Sequence, residues 1–140
     1  MSSAPLAVTH LGGDRFEIAV RGHTITVDQP VADGGTDEAP TPTELFIAAL
    51  ASCVAFYARR FLARHDLPTD GLAVDATYSI SPRPARVGEI ELVLHVPEGV
   101  PVDRRDALLA VASHCTVHNT LETAPDVTIT MTETVATRVL

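Results

Sequence analysis

The sequence predicts an α+β fold, with antiparallel sheets and two central helices that each carry a cysteine. Three observations lead there. Short alternating apolar–polar runs come in pairs, two long apolar stretches carry helix-start signals, and no strand–helix–strand repeat is visible. At 140 residues, with 46% hydrophobic and 20% charged residues, the chain has the size and balance of a single globular domain over residues 1–140. Aromatics are scarce at 4% and Trp is absent, so the core must be built from Ala, Val, Leu and Ile. Small side chains of that kind favour closely packed helices.

In Arg15–Val20, Phe16, Ile18 and Val20 face one way against Arg15, Glu17 and Ala19. Arg21-Gly22-His23 reads as a tight reversal, and Thr24–Asp28 alternates again, which makes a half-buried strand pair. Residues Leu6–Leu11 add a preceding strand. The stretch Gln29–Pro42 is rich in Pro, Asp, Gly and Thr and is loop; its acidic part, Asp33–Glu38, reads as solvated, with a flexible lid as the alternative. It ends in Thr41-Pro42-Thr43-Glu44: a hydroxyl N-cap, Pro at the first helical position and Glu at the third, the pattern of a capping box. A helix from Pro42 to Arg64 follows, closing near Pro68–Gly71. Its first turns are apolar all round, as in a helix enclosed on every side. A chain this small cannot cover such a helix alone, and a homodimer is expected. Leu72–Ile80 and Glu89–Val96 are two further strands joined through Pro82, Pro84 and Gly88. A second helix starts at Asp103 as N-cap, with Asp106 in the first turn, and runs through Ala107–Ala112 towards His118. Val127–Met131 alternates as a last strand.

The formal charge is −8, and all ten basic residues are Arg, scattered in pairs such as Arg59-Arg60 and Arg104-Arg105. A net-negative surface without a basic stripe argues against nucleic acid and anionic membrane as partners. The longest apolar run, Leu45–Ala58, is interrupted only by Ser52 and is too short to span a bilayer. Met1–Leu11 shows no secretory pattern, and two cysteines do not make a disulfide framework, so the expected compartment is the cytoplasm.

Those two cysteines, Cys53 in the first helix and Cys115 near the end of the second, are the candidate chemistry. Free Cys commonly packs as a small hydrophobe. Here there is one per apolar helix, and packing of the two helices would bring the thiols together. Reactivity further requires a nearby cation and access. A metal reading starts from His114-Cys115-x-x-His118, but no second ligand cluster accompanies it, and no metal is expected. A hydrolase using Cys53 with His114 or His118 is opposed by the mid-helix position of Cys53, away from any nucleophile-elbow turn. Tyr57, Phe46 and Phe56 read as core, with pocket lining as the alternative.

The segment Pro42-Thr43-Glu44-Leu45 through Ala51-Ser52-Cys53 resembles the "Pro-x-Glu-Leu … Ala-x-Cys" helix of the OsmC/Ohr family. His114-Cys115-Thr116-Val117-His118-Asn119-Thr120-Leu121 resembles that family's second cysteine motif, and the coarse plan agrees over essentially the whole chain. The resemblance implies an intertwined homodimer with active sites built from both subunits, acting in oxidative-stress defence. It implies thiol-dependent reduction of hydroperoxides, with Cys53 as peroxidatic thiol and Cys115 as resolving thiol. It implies an external dithiol reductant, in one branch of the family a lipoylated protein, and no cofactor. It also implies an Arg that stabilises the thiolate, for which Arg15 is the first choice and Arg21 the second. The chain departs from the pattern at Thr43, which stands ten residues before Cys53 where the family has a Glu that holds the Arg. Glu44 projects about 180° away from Cys53 on a helix and suits the capping box instead. Thr43 supports the alternative of a non-catalytic ligand-binding or interaction dimer with structural cysteines.

Overall fold

The computed structural model describes residues 4–134. Arg21 and Gly22 both take positive φ, 48° and 81°, the conformation a two-residue hairpin turn demands of its central pair. They join β2 (Arg15–Val20) to β3 (His23–Val27), and β1 (Ala7–Gly12) pairs antiparallel on the other side of β2. The strands run in the order β1-β2-β3, with Ile18 opposite both Val8 and Ile25. Val8 and Ile25 are exposed, so this sheet keeps uncovered apolar surface.

The expected loop follows and contains one 3₁₀ turn, Val31–Asp33. Gly35 lies against the Gln29 backbone, and a Cβ there would run into the Gln29 carbonyl oxygen. Helix α1 (Pro42–Arg64) starts and ends where the sequence predicts. The Thr41 hydroxyl accepts from the Glu44 N–H at 3.0 Å, and the Glu44 carboxylate accepts from the Thr41 N–H at 2.8 Å. The capping box therefore holds.

Strands β4 (Ala73–Ser81) and β5 (Arg86–His95) form a separate antiparallel pair. One face packs through Val74, Leu92 and Leu94 on the core formed by α1 and α2 (Arg105–Ala112). Leu62 of α1 and Leu108 of α2 are fully buried there. Burial of each such side chain stabilises the fold by roughly 1.5–3 kcal/mol relative to exposure.

Three expectations are corrected. Asp103 is not an N-cap: it lies in a 3₁₀ turn, Val102–Arg104, and α2 starts without a side-chain cap. The second helix does not continue to His118. It stops at Ala112, and α3 (Thr116–Glu122) starts afresh after Cys115, whose φ of −70° and ψ of 159° are extended. The break survives because α3 returns the freed carbonyls their partners. His118 Nδ1–H donates to the Ser113 carbonyl at 2.6 Å and Asn119 Nδ2 to that of His114 at 3.2 Å. Val127–Met131 forms no strand, because no ladder partner lies beside it: Val127, Ile129 and Met131 are 75, 90 and 97% exposed. The chain covers α1 only in part, as its small size leads one to expect. Ile47, Leu50, Val54, Ala58, Phe61 and Leu62 are buried, whereas Phe46 and Phe56 stand exposed.

Counted over its full 23 residues, α1 is long and apolar enough to cross a membrane by length and composition, unlike its shorter apolar run. A core helix passes the same test, and the buried stripe of α1 packs on α2, α3, β4 and β5.

Candidate active site

Cys53 lies in the middle of α1, on the side that meets α2 and α3, and is half-buried against the core. Cys115 is the N-cap of α3 and wholly buried. Its sulfur accepts from the His118 N–H at 3.3 Å. The break between α2 and α3 turns Cys115 into the core against which Cys53 packs, close enough for each thiol to feel the other. Both are free thiols. The predicted juxtaposition is therefore present, although Cys115 reaches it from a cap and not from within a helix.

Burial pushes the Cys115 thiol up from its ordinary value. The His118 N–H opposes that shift, while the neighbouring Cys53 thiol adds to it.

One further contact ties the two cysteine-bearing segments together. The Tyr57 and Thr116 hydroxyls share a hydrogen bond of 2.7 Å, one turn along α1 from Cys53 and one residue after Cys115. Tyr57 is also packed on the core, so the core reading of this residue holds and a polar role is added to it.

Arg15 sits on β2, and its guanidinium pairs with Glu38 at 3.1 Å. Strand β2 makes its contacts with β1 and β3, whereas α1 makes its own with α2, α3, β4 and β5, so the chain does not gather Arg15 with the thiols. Arg21 occupies the β2–β3 turn. Thr43 lies in the first turn of α1, and Glu44 is engaged in its cap.

Glu38 is a residue that sequence reasoning left in a solvated loop. It is presented by Asp28, which is buried and accepts from the Glu38 N–H at 3.0 Å, the Thr36 hydroxyl at 2.7 Å and the Gln29 N–H at 2.7 Å. Those bonds, the Glu38 N–H first and the Thr36 hydroxyl second, hold the Asp28 carboxyl down at about 2. The available signal was an acidic residue just after an apolar strand, at the mouth of a Gly-Thr-rich loop that offers backbone donors.

The His114 and His118 rings do not converge on Cys115: Nδ1–H of His114 donates to the Ala110 carbonyl at 2.7 Å, and that of His118 to Ser113. Among the described residues no group of three or more His, Cys, Asp or Glu could hold a metal ion. An open apolar cleft of about 760 Å³ runs between α1 and β5. It contains neither sulfur but is lined by Leu50 and Val54, which flank Cys53 on α1, and by Ala112 and Ser113, which lead into Cys115.

Comparison with known proteins fits this geometry. Solved structures that share the fold include a protein of Psychrobacter arcticus named for an osmotic stress induced and detoxification response, at 22% identity and a TM-score of 0.79, over 86% of this chain and 89% of that one. An organic hydroperoxide resistance protein OsmC of Legionella pneumophila matches at 20% identity and a TM-score of 0.67, over 86% and 91%. An organic hydroperoxide resistance protein of Elizabethkingia anophelis matches at 21% and 0.67, over 88% and 91%. No curated protein matches the sequence. The model of the OsmC-like protein family matches residues 35–130, which include α1, both strands of the second sheet and both cysteines. With well over half of its residues matched and the same fold in its structural neighbours, the chain belongs to the OsmC-like protein family.

Proposed function

We propose that this protein reduces hydroperoxides, organic ones foremost, with Cys53 as the attacking thiol and Cys115 as the resolving thiol. The observation that carries the reading is that a half-buried thiol, Cys53, packs against the core that holds a fully buried one, Cys115. Cys53 attacks the outer peroxide oxygen: an S–O bond forms, the O–O bond breaks, and the alcohol leaves with the proton. Cys115 then displaces hydroxide from the sulfenic acid, giving the Cys53–Cys115 disulfide and water. An external dithiol reduces the disulfide in the cytoplasm. Arg15, held by Glu38, supports the Cys53 thiolate, and in this reading it is supplied by a second copy of the chain. The exposed apolar side chains of α1 and of the first sheet support a homodimer, as do Val127, Ile129 and Met131. Sedimentation should therefore give about twice the 14.9 kDa chain mass.

The test is dithiol oxidation driven by cumene hydroperoxide or hydrogen peroxide. Turnover should appear in the wild type, be lost in Cys53→Ser, and fall in Cys115→Ser to whatever an external thiol can resolve. No turnover from a folded, reduced wild type would overturn the reading.

Two observations favour a second reading, a non-catalytic dimer with structural cysteines: Cys115 is fully buried, and Thr43 stands where the family pattern has Glu. Under that reading Cys53 resists thiol reagents in the native state as well.

A further inference from the structure

The break between α2 and α3 raises a positional problem. Cys115 is placed by neither helix body, since α2 ends three residues before it and α3 starts one residue after it. Most hydrogen bonds around the break close on the segment itself: His118 N–H to the Cys115 sulfur, the His118 ring to Ser113, and the Asn119 amide to His114. They shape the segment without fixing it to α1. Among the described residues, a single side-chain hydrogen bond joins α1 to it, the 2.7 Å bond between Tyr57 and Thr116. Both ends adjoin a thiol. Tyr57 is four residues after Cys53, hence on the same side of α1, and Thr116 follows Cys115 directly. Tyr57 carries its hydroxyl on a rigid ring packed against the core, so the bond ties Thr116 to a fixed post.

We infer that the Tyr57–Thr116 hydrogen bond is a latch that holds Cys115 against Cys53, which makes Tyr57 and Thr116 positioning residues for disulfide formation. The inference deepens the proposed peroxide reduction and rests on it for its kinetic part. The step concerned is Cys53–SOH + HS–Cys115 → Cys53–S–S–Cys115 + H₂O: an S–S bond forms, the S–O bond breaks, and the departing hydroxide takes the Cys115 proton. The hydroperoxide supplies the oxidising equivalents in the preceding step. The latch does not touch the peroxide, so formation of the sulfenic acid should not depend on it. Without the latch Cys115 spends less time in reach, and the sulfenic acid persists long enough to meet a second peroxide and become sulfinic acid.

Tyr57→Phe and Thr116→Val each delete one hydroxyl with little change of shape. Stopped-flow measurement should show sulfenic acid formation at the wild-type rate and condensation slowed about fivefold, the effect of one ordinary hydrogen bond. Sulfinic acid at Cys53, read by mass, should rise in step. The double variant should be no slower than either single one, and Thr116→Ser should behave as wild type. Equal condensation rates in all variants would overturn the inference, as would additive effects of the two substitutions. A second readout needs no peroxide: equilibration with a glutathione redox buffer gives the stability of the Cys53–Cys115 disulfide, which should fall about fivefold in Tyr57→Phe. An unchanged equilibrium constant refutes the latch. A wild type that forms this disulfide in glutathione but never with hydroperoxides refutes the proposed function and leaves the latch standing.

Discussion

The Cys115 sulfur is fully buried in the core against which the half-buried Cys53 packs, and it receives the His118 N–H at 3.3 Å. Burial, first among the causes, pushes the Cys115 thiol up from its ordinary value, and it divides two chemically identical groups by their access to solvent.

Because of this division, iodoacetamide at neutral pH should modify Cys53 in the native protein and leave Cys115 untouched, with both modified after unfolding. Peptide mass mapping reads the outcome. The raised Cys115 value also has a thermodynamic consequence. A group that keeps its proton more tightly in the fold stabilises fully below its unfolded value, near 9.0, and that stability is lost as pH rises towards the folded value. Cys115→Ala should lack this alkaline decline, as measured by denaturant unfolding.

Asp28 behaves in the opposite sense. Its carboxyl is held down at about 2, so its contribution is present above the unfolded value of 3.8 and lost as pH falls through about 2. Asp28→Asn should melt lower at neutral pH, because its amide faces the Thr36 hydroxyl and Glu38 N–H with too few acceptors. It should also lose the acid-dependent part of the melting curve. Gly35→Ala should disturb the same loop through the Gln29 carbonyl.

Leu62 and Leu108 test the core that seats the thiols. Both are fully buried, and truncation of either to Ala should destabilise by about 2–5 kcal/mol in urea titration. Thiol-reagent kinetics should show Cys115 becoming reactive in the same variants, because local opening of α2 uncovers it.

The Arg15–Glu38 pair lies far from the thiols along the chain, yet Arg15 carries a proposed role. Arg15→Ala should slow the reaction of Cys53 with cumene hydroperoxide about tenfold or more at neutral pH, the effect of removing a cation that favours a thiolate. Glu38→Gln should slow it less, since the guanidinium remains but is no longer held. Unchanged rates in both would remove Arg15 from the site.

What was legible in the sequence follows from how local each feature is. The capping box at Thr41–Glu44 and the Arg21-Gly22 turn depend on residues within a few positions, and both are present. The capping box sets where α1 begins, and the Pro68–Gly71 segment where it closes. The break before Cys115 was not legible, since α3 satisfies the Ser113 and His114 carbonyls through side chains that an uninterrupted helix would leave on its surface. The last strand failed for a related reason: Val127, Ile129 and Met131 alternate as a strand should, but pattern supplies only a face, and a strand also needs an edge to pair with. Of the residues proposed to act, the two cysteines and Arg15 could be named in advance, whereas Glu38 and Thr116 could not. Their roles depend on the Asp28-centred loop and on the approach of α3 to α1.

The most direct test of the account is to treat the fully reduced protein with one equivalent of cumene hydroperoxide and map its peptides without reduction. The account predicts loss of the two thiol hydrogens, with Cys53 joined to Cys115 in a single linked peptide, and a stable sulfenic acid at Cys53 in Cys115→Ser. Both cysteines recovered as unmodified thiols after prolonged exposure, in a protein that is folded, would contradict it.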